Sequence, residues 1–119
     1  MRNTKKKGRF RMVALPASGS KFKYAVACID FAIVREGNDV MKLVNDVRNA
    51  SIHYLENICK NNLSDKLLNQ TLPKKYIHAY EKANMVKKPI IIKKEVSKAI
   101  KSPIGIADLQ LWGGNHVSL

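Results

Sequence analysis

The sequence predicts an α+β protein: a small antiparallel sheet of three to four strands with helices packed on one face. Three observations carry this reading. Aromatic and β-branched residues gather in three short runs between Phe10 and Arg35. Apolar residues then recur at three- and four-residue steps from Val40 to Ile58. A second, shorter stripe of the same spacing follows Pro73.

Each element has a local reason. Phe10 to Leu15 alternates in part and reads as a strand. Pro16 to Ser20 turns the chain, because Pro fixes φ and Gly19 accepts a positive one. Phe22 to Ile29 is apolar on both faces, the pattern of a central strand. Asp30-Phe31 turns again into a third strand, Ala32 to Arg35, completing a meander. Gly37 suits a left-handed position, and Asn38 or Asp39 is placed to cap the helix that follows. Val40, Met41, Val44, Val47, Ala50, Tyr54, Leu55 and Ile58 form its apolar stripe, and Asn61-Asn62 ends it. Leu63 to Leu72 reads as one helical turn or a packed loop. Pro73 then opens a second helix with Tyr76, Ile77, Tyr80 and Ala83 inward, stopped by Lys88-Pro89. Ile90 to Ile92 is the candidate fourth strand. Three regions result: a basic flexible head (1–9), one α+β domain (10–101) and an irregular tail (102–119).

At 119 residues the chain holds one core. A hydrophobic fraction of 45% and a charged fraction of 26% exclude wholesale disorder. No apolar run approaches the roughly 18–20 residues of a membrane span. No apolar stretch follows the basic start, which excludes a secretory signal, and two cysteines make no disulfide framework. A cytoplasmic protein without a membrane partner is expected.

The net charge of +13 is the unusual number. Residues 1–23 contribute +8, residues 24–72 contribute −1, residues 73–101 contribute +7 and residues 102–119 contribute −1. Two basic segments thus flank a near-neutral centre, a distribution that attracts polyanions. Lys5, Lys6, Lys7, Arg9 and Arg11 in the first segment, with Lys74, Lys75, Lys87, Lys88, Lys93 and Lys94 in the second, are the candidate nucleic-acid contacts. Lysine predominates, which favours diffuse phosphate attraction over bidentate base readout. A purely solubilising role competes on even terms.

Catalytic signals are sparse. His53, His78 and His116 fall in separate segments without a second ligand at helical spacing, and no Cys-x-x-Cys occurs. Cys28 lies in an apolar strand, where free Cys commonly packs as a small hydrophobe. Neither a Gly-rich dinucleotide loop nor a Walker pattern is present. Trp112 beside Gly113-Gly114 either stacks on a base or clips the tail onto the core, the second being the commoner role. The chain is expected to be no enzyme, with no catalytic residue, no metal and no cofactor.

Lys23-Tyr24-Ala-Val-Ala-Cys28-Ile-Asp30, followed by a short strand, Gly37, a capped helix, Ala50 thirteen residues after the Gly, and then Tyr54-Leu55-Glu56, resembles the HicB-like antitoxin domain. Gly37, Asp39, Ala50, Tyr54, Leu55 and Glu56 fall on that family's pattern, and the resemblance covers about residues 10–58. It implies a β-β-β-α-β, curtailed ribonuclease-H-like fold without catalytic residues. It also implies an antitoxin of a type II toxin–antitoxin system, masking a small and usually basic ribonuclease toxin. An added DNA-binding segment is common in that family, the two basic segments make DNA or RNA the other expected partner, and an exposed strand edge offers a route to a homodimer. The alternative is a stand-alone basic nucleic-acid-binding module with loose sequence preference.

Overall fold

Asp39 starts the long helix. Its backbone is extended, and its carboxylate accepts the Lys42 N–H at 3.1 Å, satisfying one of the orphan donors of the first turn. Helix α1 then runs Val40–Lys60 and ends at Asn61. Asn62 follows with φ +50°, a left-handed conformation that asparagine tolerates. The computed structural model describes residues 2–17, 19, 21–83, 104–106 and 111–112.

The strands are β1 (Gly8–Arg9), β2 (Met12–Pro16), β3 (Tyr24–Cys28), β4 (Ile33–Gly37), β5 (Ile104–Ile106) and β6 (Leu111–Trp112). A 3-10 turn spans Asp65–Leu68, and a second helix, α2, spans Lys74–Ala83. Four strands form one antiparallel sheet in the order β4-β3-β2-β5, and β1 pairs with β6 separately. The β2-β3-β4 meander is the one expected, with Met12 opposite Cys28 and Ala27 opposite Val34. Gly19 carries φ +77° in the β2–β3 turn. In the β3–β4 turn it is Ala32, at φ +56°, that takes the left-handed position.

Strand alternation divides the core in two. Met12, Ala14, Val26 and Cys28 face α1 and pack with Val44, Val47, Leu55 and Ile58, closed by Phe10, Phe31 and Leu68. Phe31 touches both Phe10 and Tyr54, with ring centroids 5.4 and 5.1 Å apart. Val13, Ala27 and Ile29 face the other way and pack with Ala79 and Tyr80 of α2. The expectation that both helices share one face is therefore corrected. A sheet apolar on both sides exposes two faces to water, and α2 covers the one α1 leaves open.

Other expectations also change. The segment read as an irregular tail supplies β5 and β6; β5 pairs with β2 through Met12–Ile106 and Ala14–Ile104. Ile90 to Ile92 lies outside the described residues. Gly37 is explained by close approach, since a Cβ there would meet a Leu43 methyl at 3.2 Å. Met41, placed on the apolar stripe by spacing, is 40% exposed. The head is docked, and not an extension: Asn3, 2% exposed, ties it to the 3-10 turn. Asn3 N–H donates to Asn69 Oδ1 at 2.8 Å, and Asn3 Nδ2 donates to Leu68 O at 2.9 Å. Asn69 Nδ2 returns a bond to Asn3 O at 2.8 Å. Unmatched polar groups would be costly in a buried site, so these reciprocal bonds fix the segment.

Candidate functional site

The outer edge of β4 is the first candidate. Ile29 N–H donates to Arg11 O at 2.8 Å and Ala17 N–H to Lys23 O at 2.9 Å, so the odd-numbered residues of β3 turn their backbone groups to β2. Tyr24, Val26 and Cys28 therefore turn theirs to β4 and meet Gly37, Arg35 and Ile33. Val34 and Glu36 are left with outward N–H and C=O groups, and among the described residues β4 ends the strand order. The Arg35 guanidinium bonds the Val34 carbonyl at 3.0 Å, placing a charge on the edge that discourages indiscriminate strand pairing.

Beside this edge lies a groove of about 290 Å³. The step from β4 to α1 takes two residues, so Gly37 sits directly under Leu43 and the first turns of α1 overhang the strand end. Glu36 of the strand and Asp39, Lys42 and Asp46 of that overhang are among the residues that line the groove. Three carboxylates against one lysine make it a negative concavity on a chain of net charge +13.

The expected nucleic-acid residues divide. Lys5 is committed internally: its ammonium donates to Leu63 O at 2.6 Å and to Asp65 Oδ1 at 3.0 Å. Those bonds hold the Asp65 carboxyl below its ordinary range. Arg11 is committed as well. Its Nη2 and Nε donate to Asp30 at 2.8 and 3.2 Å, and its guanidinium lies 5.7 Å from the Tyr80 ring centre. The bond to Asp30 raises the Arg11 pKa further. Lys6, Lys7, Arg9, Lys74 and Lys75 are exposed, with Lys75 beside the Tyr76 ring at 5.0 Å. Lys87, Lys88, Lys93 and Lys94 lie outside the described residues.

The thiol of Cys28 is buried in the α1-side core, and burial pushes its pKa up to about 12, which keeps it protonated and unreactive. Cys59 is exposed. His53 lies 3.4 Å from Glu56 on the solvent side of α1, and His78 is exposed on α2; His116 is outside the described residues. Among the described residues no group of three His, Cys, Asp or Glu side chains is placed to hold a metal ion, and no helix is long and apolar enough to cross a membrane.

Reading the sequence missed the groove, because Glu36, Asp39 and Asp46 are scattered through a segment that sums to −1. The available signal was Gly37 two residues before a helix cap. Fold and surface together define a small α+β protein with a sheet edge unpaired among the described residues, a negative groove and exposed cations elsewhere. No family model, curated protein or solved structure matches the chain.

Proposed function

We propose that the chain is a non-enzymatic binding protein of the HicB-like, antitoxin type, which masks a small basic ribonuclease toxin. The observation that carries this reading is the edge of β4, unpaired among the described residues, beside the negative groove. An extended segment of the partner adds backbone hydrogen bonds at Val34 and Glu36, and its lysine or arginine side chains enter the groove between Glu36, Asp39 and Asp46. A basic partner is attracted there although the whole chain is cationic, because the field near a concave site is set by its own lining. Of the residues that carry the HicB-like resemblance, Gly37 and Asp39 line the groove, and Tyr54, Leu55 and Glu56 lie toward the far end of α1. Gly37 underlies Leu43, Asp39 caps α1, and Leu55 buries against the sheet. Binding needs neither a cofactor nor a catalytic side chain. A toxin that cleaves cellular RNA is met in the cytoplasm, where this reading places the pair.

The test is purification of the tagged chain from its native host, half of the sample being treated with nuclease. The expected result is a small basic protein retained in both halves, with ribonuclease activity that appears only after the complex is dissociated. Loss of every partner on nuclease treatment contradicts the reading. That loss would favour the second one, a stand-alone nucleic-acid-binding module, for which the exposed Lys6, Lys7, Arg9, Lys74 and Lys75 speak.

A further inference from the structure

We infer that the docked head, the end of α1 and the 3-10 turn form one composite binding face for the phosphate backbone of nucleic acid. This goes beyond the antitoxin reading and does not rest on it. In the sequence the head belongs to a +8 segment, while Lys60 and Lys66 belong to the near-neutral centre. Folding brings them together. Asn3 is bonded to Leu68 and Asn69, Lys5 N–H donates to Asp65 at 3.1 Å, and the Cys59 thiol lies 3.7 Å from the Lys5 carbonyl. Lys60 follows Cys59 and Lys66 follows Asp65, so the fold brings the backbone of both beside the segment that carries Arg2, Lys6, Lys7 and Arg9. All six are exposed.

Among the described residues the acids of the region offset only a part of this charge. Asp65 is bonded to Lys5, and Glu56, one turn before Lys60, lies beside His53. One or two cations suffice to complement the negative end of α1. Four more, held there by a fully bonded asparagine, exceed that need. Like charges gathered on a fixed surface repel one another, and a polyanion relieves the repulsion by displacing counterions. The fastening also matters: Thr4 Oγ1 accepts the Lys7 N–H at 3.2 Å, and Arg9 N–H donates to Asn3 Oδ1 at 2.9 Å. The cations are therefore presented on an ordered backbone, which lowers the entropy lost on binding.

Fluorescence anisotropy with a short random RNA strand and a random DNA duplex, at two salt concentrations, tests the face. The double variant Lys60→Gln/Lys66→Gln is compared with Lys21→Gln/Lys23→Gln, which removes the same charge from the β2–β3 turn. The first pair is expected to lower affinity at least about tenfold and to flatten the log-log salt slope by about 1.4–1.8 units, whereas the second changes affinity less than about threefold. Asn3→Ala, which changes no charge, is expected to weaken binding about threefold or more by loosening the head. Equal losses in the two charge-matched pairs would show that net charge alone governs binding and would overturn the face. Absence of binding by the unaltered chain at physiological salt would overturn it too.

Discussion

The two faces of the sheet are built from the same strands and sealed by different means. On the α1 side, a helix of 21 residues lays a continuous apolar stripe over Met12, Ala14, Val26 and Cys28, and the core closes with whole aromatic rings. On the α2 side, among the described residues, a helix of 10 residues covers Val13, Ala27 and Ile29 with Ala79 and Tyr80, and Leu72, Tyr76 and Ile77 pack half-buried around them. There the rim is closed by a polar clamp, with Asp30 gripping Arg11 and Arg11 lying against Tyr80. The difference teaches that both faces are held by hydrophobic burial, and that the one with the smaller buried cluster adds at its rim a charge pair that is itself partly wet.

The comparison breaks most sharply at Val47, which is fully buried under α1. Val47→Asp places an unpaired carboxylate in the larger core and is expected to cost about 3–5 kcal/mol in a denaturant melt. Thiol labelling reports the same event. In the unaltered protein Cys59 reacts at once, and Cys28 reacts only through unfolding; in the variant both react together. On the other face, Asp30→Ala removes the acceptor for Arg11 N–H and its guanidinium and is expected to cost about 1–3 kcal/mol. A loss from Asp30→Ala equal to that from Val47→Asp would erase the distinction between the faces.

Smaller effects sharpen the picture at the head. The Asp65 carboxyl titrates below its ordinary value of 3.8 because Lys5 donates to it. The Lys5–Asp65 link therefore contributes fully above that value and is lost as pH falls through the lower, folded one. An NMR titration is expected to show the Asp65 midpoint moving up in Lys5→Gln. An unchanged midpoint would detach the head from the 3-10 turn in solution.

How much of this was legible in the sequence follows from the length of each signal. Helix α1 was plain from its first turn to its stop, because five turns of spacing leave one interpretation, while its cap stayed open between Asn38 and Asp39. Apolar residues on both faces of β3 already signalled that both sides of the sheet need cover, but not which segment supplies it. Strand β5 escaped because Ile104-Gly-Ile106 is too short to show a period of two. The docking of the head escaped for another reason: Asn3 and Asn69 stand 66 residues apart, and polar pairing leaves no pattern in composition. For the same reason Lys5 and Arg11 were counted as ligand contacts, although each is committed to an aspartate.

The claim that β4 offers its outer edge to a partner is tested most directly by residue-resolved amide hydrogen exchange. In the free chain, Val34 and Glu36 amides are expected to exchange rapidly, while Ile33 and Arg35, bonded to β3, exchange slowly. In the complex purified from the host, Val34 and Glu36 are expected to become protected. Equal protection of these two amides in the free chain and in the complex would contradict pairing at this edge.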